Sequence, residues 1–388
     1  MAKRIVVLGG GFAGVESAIF LRKEGMEVTL VSDRDYMYIY PTSIWIPVRK
    51  AEFDDVCIPL EKLAKAHGFD LEIDTVWQIK SAEKSVVCAK ETLGYDYLVV
   101  AIGAHKMPHP GIENTLSICG APETSLEIRK KLDELMARGS GKLAFGFGGN
   151  PKETSAVRGG PGFELMFNVH NMLKKKGIRE NFDLTFFAPM AEPGKRMGAK
   201  SLPMLDRMLG MLKIDKRVGK KISRFEPDGV VFEDGSKLES DFTMFIPAGA
   251  GHGALAESDL PLTEAGFIKI DDFCRVEGVE GVYAVGDVAH IEGPEWRAKQ
   301  GHIAEVMARN TAHNIKIAES GSGEMKAYGC HLNILCVMDT GNGAAFVYRD
   351  DKKAHMIPLP FIGHWLKRGW GVYCRLSKLG KIPRIPGM

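Results

Sequence analysis

The stretch from Arg4 to Asp33 constrains the fold of this chain more than any other. An apolar run, Ile5-Val6-Val7-Leu8, breaks at Gly9-Gly10-Gly11-Phe12-Ala13-Gly14, and a helix-forming segment follows from about Val15 to Glu24. A second β-forming run, Glu27-Val28-Thr29-Leu30-Val31, ends at Ser32-Asp33. Strand, G-x-G-x-x-G turn, helix, strand and a closing acid form the pattern of a dinucleotide-binding βαβ unit. Gly9 permits the tight turn, Gly11 lets backbone approach a pyrophosphate, and Gly14 lets the helix pack on the sheet. The helix N-terminus attracts phosphate charge. Ser32 and Asp33 stand where ribose hydroxyls are bonded.

The rest of the chain must house more than this unit, since 388 residues suffice for two or three domains. With 45% hydrophobic and 26% charged residues, a large core forms and global disorder is excluded. A net charge of +2 offers no excess for binding nucleic acid. Seven cysteines, an odd number with no C-x-x-C pair, argue against a disulfide framework and a structural zinc site. No metal is expected at His105 and His109 either, because Pro108 and Pro110 interrupt their spacing. The opening run Met1–Leu8 is too short for a signal peptide and stops at glycines. No run of about 18 apolar residues is long enough to span a bilayer. The expected location is therefore the cytoplasmic side, in solution or on the membrane surface.

A second signal lies far downstream. Glu277 to Val285 reads as a turn and a strand, and Gly286-Asp287 follows. Tyr95 to Ala104 is a strand ending in Gly103, and Asp241 to Ala250 echoes it, so the chain has two weakly similar halves. These residues resemble the two-dinucleotide-binding-domain flavoproteins. The resemblance implies FAD, with its pyrophosphate at Gly9, Gly11 and Gly14 and its ribityl chain on Asp287, after Gly286. It also implies that the helix opened by Lys299-Gln300-Gly301-His302 points its N-terminus at the flavin. Gly103, Lys299 and Gly301 join the expected cofactor site.

Members of this class that use NADH carry a second G-x-G-x-x-G. Here Lys142 to Gly149 runs into glycines, but Pro151 and the loop 154–160 come before a helix starting near Pro161. This argues against a nicotinamide cradle. Several patches are instead similar to sulfide:quinone oxidoreductases: Ser32–Tyr36, Ile118-Cys119-Gly120, Gly160–Glu164, Gly301–Ala308 and Leu335–Gly341. That family implies a redox cysteine at Cys336, with Cys119 as a second candidate. Its other redox cysteine falls just before the Gly-Pro of the second-domain loop, where this chain has Arg158. A Cys–Cys relay with that loop cannot form, so either Cys336 works with another thiol or the donor is not sulfide.

From Ala354 to Met388 there is no acid, and six Lys or Arg interleave with Phe361, Ile362, Trp365, Leu366, Trp370, Tyr373 and Leu376. A basic amphipathic helix of this kind lies in a membrane interface, packs on the protein's own surface or sits at a dimer contact, so a homo-oligomer stays open. The family's tail also lines the quinone entry, which makes Phe361, Lys367, Trp370 and Tyr373 the expected quinone site. The expected architecture is α/β: two Rossmann-like domains of the glutathione-reductase-like FAD fold and a C-terminal amphipathic membrane-binding segment. The FAD domain spans 1–108 and 243–325, the second domain 109–242, and the segment 326–388. The resemblance implies a peripheral membrane enzyme that oxidises sulfide or a related sulfur donor and reduces a membrane quinone. Two other readings stay open: a type II NADH:quinone dehydrogenase, and a flavoprotein that binds persulfide without turnover.

Overall fold

Two parallel sheets organise the chain, which a computed structural model describes over residues 3–384. The outer ends of the expected segments, residues 1–2 and 385–388, lie outside the described residues. The first sheet has the order Val282–Ala284, Tyr97–Val100, Arg4–Leu8, Glu27–Ser32, Asp70–Ile73, and all its neighbours run parallel. Its central strand is apolar without alternation because helices cover both faces, and Ile5 to Leu8 are buried throughout. The helix Phe12–Lys23 crosses from the first strand to the second. The helix Gly301–Ser320 packs alongside it.

The second sheet has the order Ile214–Val218, Phe182–Ala188, Gly141–Phe147, Phe242–Ile246, again parallel. Helices Thr124–Arg138, Gly160–Lys175 and Ser201–Met211 flank it. The strand Phe242–Ile246 belongs to this sheet, so the expected boundary at 242/243 falls a strand too early; the chain leaves the second unit after Ile246. Each half carries a three-stranded antiparallel sheet before its return strand, at 76–94 and at 222–239. This is the origin of the internal similarity read from the sequence.

The C-terminal part is an antiparallel sheet, Ile334–Asp339, Gly343–Arg349 and Ala354–Pro360, followed by the helix Ile362–Lys378. That helix forms despite Gly363, Gly369 and Gly371. Two of these allow close packing: a Cβ on Gly363 would run into Ala344, and one on Gly371 would stand 2.9 Å from the Thr42 side chain. The helix therefore rests on the C-terminal sheet and on the segment after Tyr40. Among the described residues no helix is long and apolar enough to cross a membrane.

Candidate active site

The glycine turn has the geometry of a phosphate cradle. Gly9 sits at φ +108°, where a side chain would also meet the Ala101 carbonyl. A Cβ on Gly14 would collide with the Gly9 carbonyl, so the helix can approach the turn only without one. Gly11 caps the helix and faces open space. Around this opening converge Gly286, whose Cβ position is 3.0 Å from Ala13, and Gly301, 3.9 Å from the Phe12 ring. Two helix N-termini and the Gly286-Asp287 turn thus face one cleft, which fits a dinucleotide pyrophosphate. Gly103, at φ +75°, borders it with nothing within 4 Å.

The other expected cofactor residues divide. Asp33 is exposed and pairs with Arg34 Nε at 3.4 Å. The Ser32 hydroxyl is buried and engaged with the backbone of Arg34, donating to its carbonyl at 2.7 Å. Lys299 is not an exposed first-turn residue. Its ammonium is buried over the Phe267 ring and donates to the Ala289 carbonyl. Burial lowers it to about 7, with Glu153 opposing that shift.

The loop between the strand Gly141–Phe147 and the helix Gly160–Lys175 reaches into the same cleft. Arg158 at its end pairs with Asp287 across the two units. Cys119 is buried and lies in the electrostatic surroundings of Tyr40 and Lys106, as does Arg158. Tyr40 donates its hydroxyl to the Gly120 carbonyl at 3.1 Å.

Cys336 lies on the C-terminal sheet, under the helix that follows it. Burial pushes its thiol up to about 12; the Glu164 carboxylate adds to this and the Lys367 ammonium opposes it. Glu164 is buried, pairs with Lys367 and accepts the Asp339 N–H at 2.7 Å. Burial raises the Glu164 carboxyl against the pull of Lys367. Asp339 completes the network: it accepts from Trp45 Nε1 at 2.8 Å and from the Gly341 N–H at 2.6 Å, and it pairs with His364 Nδ1 at 2.7 Å. The structure therefore brings together Cys336 and Lys367, which the sequence reading placed in different sites. All seven cysteines are free thiols.

Of the expected quinone residues, Lys367 faces inward. Phe361 is 78% exposed, and Trp370 packs against the first unit's core. Tyr373 is half-buried. The helix is inside out: Lys367 and Lys378 are buried, while Ile362, Trp365, Leu366 and Val372 are exposed. The expected apolar stripe is thus split, its first half turned to solvent. Glu164 and Asp339 were missed as site residues. The available signal was a single acid inside the apolar run Phe163 to Val169.

Residues 3–313 match the family model described as pyridine nucleotide-disulphide oxidoreductase. A sulfide-quinone reductase of Aquifex aeolicus (strain VF5) is 29% identical over 375 residues, covering 90% of this chain and 84% of that protein. A type II NADH:quinone oxidoreductase of Staphylococcus epidermidis (strain ATCC 12228 / FDA PCI 1200) is 24% identical over 382 residues, covering 90% of each. The X-ray structure of the sulfide:quinone oxidoreductase from Aquifex aeolicus superposes with a TM-score of 0.87 at 26% identity, over 98% of this chain and 92% of that one. The NDH2 of Plasmodium falciparum, at 12% identity and a TM-score of 0.78, shares the fold. The resemblance read from the sequence is borne out, and the chain belongs to the pyridine nucleotide-disulphide oxidoreductase family as an FAD-dependent oxidoreductase.

Proposed function

We propose that the protein takes two electrons from a reduced sulfur compound, sulfide or a relative of it, and delivers them through FAD to a quinone drawn from a membrane surface. The observation that carries this reading is the inside-out C-terminal helix. Its outer face presents Phe361, Ile362, Trp365, Leu366 and Val372, an arrangement that is costly in water and favourable in a lipid interface. Its inner face holds the Lys367–Glu164 pair. A quinone entering along the helix meets a buried ammonium and carboxyl that can supply a proton. The quinone reductases among the relatives support the same acceptor.

Gly11, the helix start at Phe12 and the Gly286-Asp287 turn would hold the FAD pyrophosphate and ribityl chain, and Gly301 would present its helix N-terminus. Bound FAD supplies the two-electron carrier. Cys336 enters as a protonated thiol, with Glu164 beside it as a proton acceptor. Cys119, which shares the surroundings of Tyr40 and Lys106 with Arg158, is the other candidate thiol.

NADH fits the second unit poorly. Phe147 ends the strand where a nucleotide-binding turn would begin, and its ring lies 2.6 Å from the Cβ position of Gly159. It packs in the core edge-on to Phe163 and tilted against Phe186. The helix behind it starts only at Gly160. The Staphylococcus relatives keep the NADH reading in the test. Oxidised protein is mixed anaerobically with sulfide or NADH, followed by a soluble quinone. Bleaching by sulfide and recovery with quinone is expected; bleaching by NADH alone would overturn the proposal.

A further inference from the structure

The loop that carries Arg158 is built to hold it in place. Asn150 donates to the Gly249 carbonyl at 2.9 Å, and the Lys299 N–H donates to the Ser155 carbonyl at 3.2 Å. Glu153 is fully buried; it accepts from the Ser155 hydroxyl at 2.5 Å and pairs with His290 Nδ1 at 2.5 Å. Ala156 packs on Gly249, whose Cβ position is 3.2 Å from the Ala156 methyl. A loop anchored on both units presents its guanidinium to the cleft at a fixed place, against Asp287.

A second cation lies near this loop, across Gly249 from Ala156. Lys106 lies on the two-residue ribbon His105–Lys106, which pairs with Gly249–Ala250 at the junction of the units. Among the described residues its ammonium makes no hydrogen bond and no ion pair. Burial lowers it to about 8, and the charge of Arg158 contributes next. Lys299 adds a third basic group, whose charge Arg158 also opposes. The acids nearby are few. Glu153 is taken up by Ser155 and His290, and Asp287, which pairs with Arg158 here, is the residue that would hold the cofactor and so leave the guanidinium to a second anion.

We infer that Arg158 and Lys106 form a binding site for a small sulfur oxyanion on the donor side of the cleft, next to Cys119. This rests on the sulfur-donor reading above and narrows it. A guanidinium is a planar fork that matches two oxygens on one centre, and the half-buried Lys106 ammonium adds a third donor. Thiosulfate or sulfite satisfies all three. Hydrosulfide offers a single atom and leaves the fork half used. A cysteine in place of Arg158 would bond covalently to sulfur, whereas the guanidinium can only bind an anion.

The test is an anaerobic titration of the FAD-loaded protein with thiosulfate, and with sulfate as a non-reducing competitor, followed by the visible difference spectrum of the flavin. Saturable binding is expected, with Kd raised at least tenfold in Arg158→Met, in Lys106→Met and in Arg158→Lys, which keeps charge but loses the fork. FAD content and circular dichroism control for folding, and Lys106→Met decides the matter if Arg158→Met loses its cofactor. No spectral change in the parent protein, or an unchanged Kd in the variants, would overturn the inference. Dithionite-reduced protein mixed with quinone separates the two claims, since reoxidation there is independent of any donor site.

Discussion

Lys378 and Glu16 stand 2.6 Å apart, ammonium to carboxylate, and this contact ties the last helix of the chain to the first. Lys378 also reaches Glu305 at 2.7 Å, while Arg309 and Arg384 pair with Glu16, each at 2.8 Å. Burial works against both charges, yet Lys378 is held above its ordinary range by Glu16 and Glu305, and Glu16 below its own by Lys378 and Arg384. Removing one partner of a buried pair leaves the other uncompensated, at a cost of about 3–5 kcal/mol. Lys378→Met is therefore expected to lower the melting temperature by several degrees and to open the C-terminal helix to trypsin. Unchanged melting and unchanged proteolysis would show that apolar packing alone docks the helix.

Gly11 and Gly14 lie in the same motif but are glycine for different reasons. A side chain at Gly14 strikes the Gly9 carbonyl within the protein, whereas one at Gly11 meets only open space in the cleft. Gly14→Val is expected to misfold. Gly11→Val is expected to fold, with native circular dichroism, and to purify with at most about a tenth of the FAD. If Gly11→Val retained its full flavin content, the cradle would have to lie elsewhere.

The first unit was legible because its signal is local: strand, turn and helix follow one another, and Gly9 and Gly14 have no alternative. The missing second cradle was legible for the same reason, from Pro151 and the long loop. The C-terminal helix was half legible. Its length and amphipathicity were visible, but Lys378 read as a cation for a lipid surface and Lys367 as a quinone partner, and both turn inward to buried carboxylates. Their partners, Glu164 and Glu16, lie 203 and 362 positions away. A pairing at that separation leaves no period or spacing in the sequence. The strand Phe242–Ile246 was assigned to the wrong unit because an apolar strand fits either parallel sheet equally well.

Glu164 holds Lys367 and receives the Asp339 N–H, so its charge, not its bulk, sets the network. Glu164→Gln keeps the volume and removes the proton carrier. Loss of a general acid–base group costs on the order of 10²-fold or more. The rate of quinone reduction by dithionite-reduced protein that retains its FAD is expected to fall by about that factor, while the uncompensated Lys367 ammonium lowers the melting temperature by several degrees. The pH profile of that half-reaction should also flatten. A rate within about twofold of the parent would assign proton delivery to another group.

Asp339 gives the docked segment a defined acid limit. Burial would raise its carboxyl, but hydrogen bonding from His364 and the Gly341 N–H outweighs this and holds it at about 2. The folded value is depressed below the unfolded one, so the stability it contributes is fully present above about pH 4. That contribution is lost as pH falls from about 4 toward 2. The shift corresponds to roughly 2 kcal/mol. Trp45 donates to the same carboxylate at 2.8 Å and reports on it directly. Its emission, taken as the difference between the parent and Trp45→Phe, is expected to change between pH 4 and 2. In Asp339→Asn the transition should vanish and stability should already be lower at pH 7. A transition that persists in Asp339→Asn would place the acid sensitivity on another carboxylate, and Glu16 would be the next to replace.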